Sequence, residues 1–239
     1  HALLSMITPF GWLTRVPTFK EKARMQPENI NYGLLGYPVL MTADVVLYKA
    51  DVVPVGEDQL PHLELAREIV RRFHHIFSPT FPEPKPKLTN APLILGLDGS
   101  HKMSKSLDNH IELAATPAET HERIKTAVTD PQRRLKTDPG RPEICNVYRL
   151  HKHFNPDKLD DIAYECRNAG RGCVDCKAIL SQGINRELEP FRDRRHELSG
   201  NLKYVKEILL EGSRKARIIA RETLAEVQDK MGLMPMDMS

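Results

Sequence analysis

Two lysines three residues apart form the part of the sequence with the clearest chemical potential. Lys102 and Lys105 lie in the segment His101-Lys-Met-Ser-Lys-Ser106, directly after the acidic, glycine-flanked stretch Leu95-Gly-Leu-Asp-Gly-Ser100. The glycines predict a mobile loop between ordered parts of the chain. Two ammonium groups with serine hydroxyls and backbone N–H groups beside them suit a polyphosphate. A generic Lys-x-x-Lys is more often a solvated basic turn, but the full pentapeptide Lys-Met-Ser-Lys-Ser is far more specific.

Four cysteines form a second candidate site. Cys145, Cys166, Cys173 and Cys176 have the spacing C-x20-C-x6-C-x2-C. Four thiolates can ligate a tetrahedral zinc ion or a cubane iron–sulfur cluster. Zinc modules usually have two tight pairs, whereas this set has one pair and two single cysteines, and four unrelated buried thiols remain an alternative. Without an extracellular signature, the cysteines favour a reducing compartment.

Asp44 is the most informative carboxylate. Its neighbours Leu40, Met41 and Val45 are apolar, and a charge buried among such side chains is costly unless it is paired. Pro38 is a good first helical residue, and the spacing predicts a helix up to about residue 49. A carboxylate bonded to a neighbouring loop explains Asp44 as well as a ligand site does.

A buried strand is predicted directly after this helix. Val52 to Val55 is a short apolar run with β-branched residues, which is typical of such a strand. Its carboxyl end delivers Gly56-Glu-Asp-Gln59, the position at which open α/β sheets bind ligands. A helix over 58–77 follows, with Pro61 in its first turn. The acidic residues also suit a plain helix N-terminus.

The remaining elements divide the chain into an α/β part and a helical part. A surface loop is predicted over 19–33, strands over 93–97 and 111–114, and a capped helix start at Thr116 with Pro117 and Glu119. The polar, proline-containing and glycine-containing stretch 130–142 is the predicted domain boundary. The helices expected beyond it cover residues 143–153, 156–168, 173–198, 201–211 and 213–231.

Composition agrees with a globular protein that binds an anion. The 239 residues are 40% hydrophobic and 28% charged, with a net charge of +3. Residues 1–129 carry 14 basic and 14 acidic side chains and residues 130–239 carry 21 and 18, so the basic excess lies in the second part. That excess is a mild indication of a polyanionic partner. No apolar run has the length of a membrane span, and no secretory leader is visible.

The sequence resembles bacterial-type tryptophanyl-tRNA synthetases over nearly its whole length. Lys-Met-Ser-Lys-Ser is the phosphate loop of class I aminoacyl-tRNA synthetases, and Tyr37-Pro-Val-Leu-Met-Thr-Ala-Asp44 and Val52-Val-Pro-Val-Gly-Glu-Asp-Gln59 resemble the family's amino-acid and ribose segments. The Phe10-Gly-Trp-Leu13 and Phe19-Lys-Glu-Lys22 segments are similar too, as is the Cys173-to-Arg195 helix. The resemblance implies an α/β fold in which a partial Rossmann-like catalytic domain, residues 1–130, precedes an all-helical anticodon-binding domain, residues 131–239.

The resemblance also implies roles for individual residues. Lys102 and Lys105 would be catalytic, and ATP would enter with Mg²⁺. The expected ATP-binding residues are Gly56, Asp58, Lys102, Met103, Ser104 and Lys105. The expected tryptophan-binding residues are Tyr37, Met41, Asp44, Val53, Val55 and Gln59. In this family the aspartate accepts a hydrogen bond from the indole N–H of tryptophan.

A subset of the family carries a [4Fe–4S] cluster on a similar cysteine pattern, which implies Cys145, Cys166, Cys173 and Cys176 as ligands, with Zn²⁺ as the alternative. The implied partners are tRNA(Trp), L-tryptophan and ATP, for a cytoplasmic homodimer that does not bind membranes. No segment resembles the His-containing ATP signature that opens a class I fold. We therefore expect that an N-terminal part is missing and that this fragment alone is inactive.

Two other functions stay open at this point. The sister tyrosyl-tRNA synthetase has the same fold with a different pocket. A non-catalytic, cluster-bearing RNA-binding module would also lack the ATP signature. The ten histidines form no ligand constellation, and the pairs His74-His75 and His151-Lys-His153 are expected at the surface or at helix ends.

Overall fold

The computed structural model describes residues 1–89 and 93–233. The chain divides into two separately packed units, His1–Pro92 with Glu207–Ser239, and Leu93–Lys206. The boundary predicted at residues 130–142 therefore lies inside the second unit. These two units are defined by packing and not by function. The division into a catalytic domain, residues 1–130, and an anticodon-binding domain, residues 131–239, therefore stays a prediction.

The first unit combines helices with a small sheet. Its parallel strands β1 (Val52–Pro54) and β2 (Lys85–Lys87) pair with Val52 opposite Lys85. The predicted strand after the first long helix is thereby confirmed, but its expected burial was wrong, because Val52 and Pro54 are exposed and Val53 is half-buried. Helix α10 lies mostly in this unit, because the division between the units falls at residues 206 and 207. Its helices are α1 (Ala2–Ile7), α2 (Phe10–Arg15), α3 (Pro17–Met25), α4 (Tyr32–Val46), α5 (Leu60–Ile76) and α10 (Leu202–Lys230).

The core of the first unit is built on α4 and α5. Along α5 the apolar residues recur at helical spacing, so one face of the helix is buried. Pro61 lies in the first turn of α5 as predicted, where its missing N–H has no helical partner to lose. The buried core residues are Leu4, Leu13, Val16, Val39, Val46, Leu65, Ile69, Val70, Phe73, Phe81 and Val227.

The second unit is helical apart from a short hairpin. Its helices are α6 (Pro117–Lys125), α7 (Asn146–Phe154), α8 (Leu159–Arg167) and α9 (Cys173–Ser199). Thr116 caps α6 as predicted, since its hydroxyl accepts from the Glu119 N–H and the Glu119 carboxylate accepts from the Thr116 N–H. Helices α6 and α7 pack on α9. Its buried core residues are Leu97, Ile124, Ala127, Cys145, Val147, Leu150, Leu180 and Ile184.

Several predicted elements were wrong in extent or type. Residues 19–33 are not a loop, because α3 and a 3₁₀ turn at Pro27–Asn29 occupy most of them. Helix α4 begins before Pro38, since the Asn31 side chain accepts from the Leu34 N–H at 2.9 Å and caps an earlier start. Polar composition hid α3, because none of its residues is buried.

Two predicted strands and one predicted helix break are also corrected. In the stretch 93–97 only Leu95 pairs, in an isolated antiparallel bridge to Lys102. Residues 111–114 form a turn rather than a strand. Helix α10 runs through Gly212 without interruption, because one glycine weakens a helix by only ~1 kcal/mol. Among the described residues, none of the helices combines the length and hydrophobicity that a membrane span requires.

Candidate functional site

Helix α4 presents three of the predicted tryptophan-binding residues on one face. Tyr37, Met41 and Asp44 are four and three residues apart, so their side chains follow one another along the same side of the helix. Tyr37 and Met41 are half-buried. The expectation that Asp44 is buried was wrong, because its side chain is exposed. Within residues 1–89 and 93–233, no hydrogen bond or ion pair engages the Asp44 carboxylate.

The carboxyl end of β1 carries the second group of predicted residues. Val53 and Val55 are half-buried, and the Val55 N–H donates to the Lys87 carbonyl at 3.1 Å. Gly56 then begins the 3₁₀ turn Glu57–Gln59 that leads into α5. The Gln59 amide donates to the Asp58 carboxylate at 2.6 Å. Backbone pairing with β2 and the turn together fix where these polar side chains emerge.

Sequence reasoning missed a side-chain network that links helix α4 to helices α3 and α5. The Tyr37 hydroxyl donates to Thr18 Oγ1 at 2.9 Å and lies 3.0 Å from His62 Nε2, which is also 3.0 Å from Thr18 Oγ1. His62 is only 2% exposed and lies three residues after Gln59. Burial, followed by the charge of Lys22, lowers the pKa of His62, so the ring is neutral at pH 7.

The segment 101–106, which contains Lys102 and Lys105 and is called the lysine loop below, belongs to the second unit. Residues 94–96 and 101–103 form its hairpin, with the Met103 N–H bonded to the Ile94 carbonyl at 2.9 Å. Lys105 opens a 3₁₀ turn and its side chain is 85% exposed, with Glu112 at 3.8 Å. Lys102 is exposed as well. At this exposure the ion pair of Lys105 with Glu112 contributes little, so the Lys105 ammonium group remains accessible to an anion.

The four cysteines lie around one cavity. Together with Arg133 and Arg171 they line one small cavity of about 20 Å³. Across the described ranges, however, no group of three or more His, Cys, Asp or Glu side chains is arranged to hold a metal ion. Burial, followed by the charge of Cys145, raises the pKa of Cys176 to about 12, so this thiol is neutral at pH 7.

Arg133 and His151 each contact one of these cysteines. The Arg133 guanidinium donates to Cys166 Sγ at 3.6 Å. His151, which was expected at the surface or at a helix end, lies in the last turn of α7 but is fully buried. Its Nε2 lies 3.2 Å from the Cys176 carbonyl and 3.4 Å from Cys176 Sγ. The helix-end position is thus confirmed, and the side chain is buried because this side of the last turn faces α9.

The sequence matches a known family over most of its length. The profile of the family described as "tRNA synthetases class I (W and Y)" matches residues 1–189. The chain therefore belongs to the class I tRNA synthetases for tryptophan and tyrosine. The partial α/β unit and the helical second unit agree with the class I fold.

Within this family the resemblance is to the tryptophan enzymes. A tryptophan–tRNA ligase of Aquifex aeolicus is 48% identical over 208 residues, which are 86% of this chain and 52% of that protein. One of Deinococcus radiodurans is 44% identical over 234 residues, which are 97% of this chain and 71% of that protein. The chain thus spans about half of the first relative and about seven tenths of the second.

A solved structure agrees with this placement. The tryptophanyl-tRNA synthetase of Campylobacter jejuni, complexed with ADP and tryptophan, superposes with a TM-score of 0.78 at 31% identity. The match covers 97% of this chain and 72% of that chain. The likeness in fold therefore extends over both units of the present chain.

Proposed function

We propose that the protein containing this chain activates tryptophan with ATP and transfers it to tRNA(Trp). The observation that carries the proposal is the 44% identity with a tryptophan–tRNA ligase across 97% of the chain. The exposed lysine loop and the polar end of β1 supply the side chains that the two reactions need. Relatives from Aquifex aeolicus, Deinococcus radiodurans and Thermotoga maritima, 41–48% identical to this chain, are all tryptophan–tRNA ligases.

Asp44 is proposed to select tryptophan. Its exposed carboxylate has no partner within the described ranges and is therefore available to the indole N–H. Such a charge-assisted hydrogen bond is worth ~1.5–3 kcal/mol. A side chain without that donor leaves the carboxylate unpaired, which is a strong basis for rejection. Met41, Val53 and Val55 would form the apolar slot around the ring.

The polar groups at the edge of the tryptophan slot are proposed to hold the amino and carboxylate groups of tryptophan and the ribose of ATP. Tyr37 and Gln59 would bind the amino and carboxylate groups of tryptophan. Gly56 would let the ATP ribose approach the backbone, and Asp58 would accept from its hydroxyls. The 2.6 Å bond between Gln59 and Asp58 supports this arrangement, because it fixes the orientation of both side chains.

Lys102 and Lys105 are proposed to stabilise charge on ATP. The tryptophan carboxylate attacks the α-phosphorus, the bond to the β,γ-pyrophosphate breaks, and pyrophosphate leaves as tryptophanyl-adenylate forms. The lysine ammonium groups and the hydroxyl of Ser104 would contact the phosphate oxygens, and Mg²⁺ bound with ATP would share the charge. The Met103 N–H is not available for this contact, because it donates to the Ile94 carbonyl. The loop would close over ATP and then open again.

Pyrophosphate exchange tests the proposal. Labelled pyrophosphate should enter ATP in the presence of tryptophan and not of tyrosine. The assay is run on the full gene product and on the 239-residue chain by itself. Exchange driven by tyrosine would favour the tyrosyl enzyme. Absence of exchange with either amino acid, while tRNA(Trp) still binds, would favour the non-catalytic RNA-binding module.

The cysteine cavity is proposed as a structural metal site, with a [4Fe–4S] cluster as the first candidate and Zn²⁺ as the second. Four thiols lining one cavity form a suitable donor set, and Arg133 and Arg171 beside them would balance the negative charge of the thiolates. Within the described residues, the four thiols are not arranged closely enough to coordinate a metal as they stand. A metal would therefore have to draw the thiols together and deprotonate them. Its role would be to hold the surrounding helices.

Anaerobic purification followed by spectroscopy tests the metal site. A brown protein that absorbs broadly near 400 nm, with about four iron atoms per chain, supports the cluster. A colourless protein with one tightly bound zinc supports the alternative. A colourless protein in which iodoacetamide modifies all four thiols freely would contradict both.

The partners of the whole protein are proposed on the same basis. The basic excess beyond residue 130 suits tRNA(Trp), and a cytoplasmic homodimer is proposed from the family resemblance. Light scattering of the purified gene product measures its mass. A monomeric mass at micromolar concentration would contradict the dimer.

A further inference from the structure

A buried asparagine closes the lysine loop. Asn109 Oδ1 accepts a hydrogen bond from the Ser104 N–H at 2.7 Å, and Nδ2 donates to the Lys102 carbonyl at 3.1 Å. The residue is 5% exposed, although Ser106 and Asp108 near it are exposed. One side chain therefore ties together backbone groups on both sides of Met103.

This tie lies where the regular backbone pairing ends. The Gly96 N–H donates to the His101 carbonyl at 2.8 Å, and the Leu97 N–H donates to the Asn109 carbonyl at 2.7 Å. Lys102 is thus anchored in the hairpin, whereas Lys105 begins a separate 3₁₀ turn. Asn109 spans the junction between the two lysines and replaces the backbone bonds that are missing there.

Gly96 leaves the space that the Asn109 side chain fills. A Cβ atom at position 96 would lie 2.1 Å from Asn109 Nδ2 and 2.2 Å from Asn109 Cγ. The backbone of Gly96 does not have a positive φ, so the requirement for glycine here is one of space and not of conformation. The two residues interlock, and a side chain at position 96 would expel the asparagine from its place.

The amide also meets a carboxylate. Hydrogen bonds from the His101 side chain, from its backbone N–H and from the Asn109 amide lower the pKa of Asp98 to about 2. Asp98 is therefore ionised at neutral pH and supplies a further acceptor for Nδ2. With acceptors and donors on both sides, the orientation of the amide is determined.

We propose that Asn109 is a positioning residue that sets Lys102 and Lys105 relative to each other before ATP binds. The proposal rests on the proposed function, in which both ammonium groups contact the same polyphosphate. A loop that is ordered in advance loses less conformational entropy when it meets the transition state. Asn109 itself does not touch the substrate.

A double-mutant cycle tests this proposal on the full gene product. Asn109→Ala should lower kcat of pyrophosphate exchange on the order of tenfold, as expected for the loss of two hydrogen bonds, with the KM for tryptophan unchanged. Gly96→Ala should have a similar effect. The double variant should lose less than the product of the two single losses, because the closest clashes disappear with the amide. An unchanged kcat in Asn109→Ala, or independent losses, would overturn the proposal.

Asn109→Asp is a second variant of the same residue, included in case Asn109→Ala does not fold. The aspartate has the same shape and can still accept from the Ser104 N–H, but it cannot donate to the Lys102 carbonyl. Its kcat should fall below that of the parent, because the donor is lost and the new carboxylate is repelled by the ionised Asp98. Asn168→Ala is the matched control, since this asparagine also bonds one carbonyl, that of Tyr164 at 2.8 Å, and the variant should keep the parent kcat. A kcat for Asn109→Asp equal to that of the parent would contradict the role of the donor.

Limited trypsin digestion separates this proposal from the proposed function. Trypsin cleaves after lysine, so cleavage after Lys102 and Lys105 should be several-fold faster in Asn109→Ala and Gly96→Ala than in the parent and in Asn168→Ala. This result is expected whether or not the protein activates tryptophan. If exchange is absent while cleavage rises, the proposed function fails and the closure of the loop stands. Equal cleavage rates would overturn the closure itself.

Discussion

The residues proposed to bind tryptophan and those proposed to bind the ATP phosphates are held in different ways. Tyr37 in the first unit is fixed by side chains from other helices, Thr18 and His62, which also contact each other. In the second unit, Asn109 is the side chain that bonds the lysine loop on both sides of Met103, while hairpin bonds and Asp98 hold its beginning. The first arrangement is redundant and partly buried, whereas the second leaves the ammonium groups outside and relies on Asn109 at the junction between the two lysines.

The largest expected effect tests whether the exposed lysines act only in the chemical step. Lys105→Ala should lower the rate of adenylate formation by about 10²–10³, a loss typical of one transition-state donor, with tryptophan binding unchanged. The side chain is 85% exposed, so the stability of the fold should not change. Single-turnover kinetics with equilibrium dialysis of tryptophan measures both quantities.

Lys158→Ala is the control for this variant, because that lysine is also exposed in the second unit. It should match the parent in both assays. Equal rates of adenylate formation for Lys105→Ala and the parent would show that the loop does not serve the chemistry.

The next effect concerns the first unit. Asp44→Asn should raise the KM for tryptophan by about 5–15-fold, since a charge-assisted bond worth ~1.5–3 kcal/mol becomes a neutral one worth ~0.5–1.5 kcal/mol. The melting temperature should stay the same, because the carboxylate is exposed and no partner engages it within the described residues. Asp51→Asn, an exposed neighbour, is the control. A lowered melting temperature with normal kinetics would assign Asp44 a structural role instead.

The sequence predicts the groups proposed to act on substrates better than it predicts their supports. Lys102 and Lys105 lie in a specific pentapeptide, and their types alone indicate a polyphosphate. His62 is one histidine in an amphipathic helix, with no pattern that connects it to Tyr37, 25 residues away. Asn109 follows the pentapeptide but reads as a turn residue. Such supports depend on which helices meet, and the sequence does not reveal that without the fold.

The predicted elements failed where local composition and packing disagree. Helix α3 is polar enough to be taken for a loop, and no residue of it is buried. Pro38 looked like a first helical residue, but the side chain of Asn31 starts α4 earlier. By contrast, the capping box at Thr116 and the apolar face of α5 were predicted correctly, since a cap and an amphipathic period are local in sequence.

A charged counterpart of Asn109 gives the third prediction. Asp130 is almost fully buried and accepts from Arg141 Nε and Nη2 at 3.0 and 2.7 Å and from the Gln132 N–H at 3.0 Å. It therefore closes residues 130–141 as Asn109 closes the lysine loop. Asp130→Asn should lower the free energy of unfolding at pH 7 by ~1–3 kcal/mol. Urea unfolding measures the change.

The effect of this variant should depend on pH in one direction. The bond from the Arg141 guanidinium, reinforced by backbone N–H groups, lowers the pKa of Asp130 below its usual value. Its contribution is thus complete above the unfolded pKa of about 3.9 and is lost as the pH falls toward the folded value. The difference between parent and variant should shrink below about pH 4. The exposed acid Asp157 provides the control Asp157→Asn, and a difference that stays constant down to pH 3 would contradict the assignment.

The smallest effect is expected where the support is redundant. Tyr37→Phe removes one hydroxyl, but Thr18 Oγ1 and His62 Nε2 remain 3.0 Å apart and keep each other as partners. The cost should be about 1 kcal/mol, as for a single neutral hydrogen bond, and should appear as a few-fold higher KM for tryptophan with kcat almost unchanged. In the same assay Asn109→Ala should show the opposite pattern, with a lower kcat and an unchanged KM for tryptophan. If Tyr37→Phe instead raises the KM as much as Asp44→Asn does, the network is not redundant. Its geometry would then depend on Tyr37, just as the geometry of the lysine loop depends on Asn109.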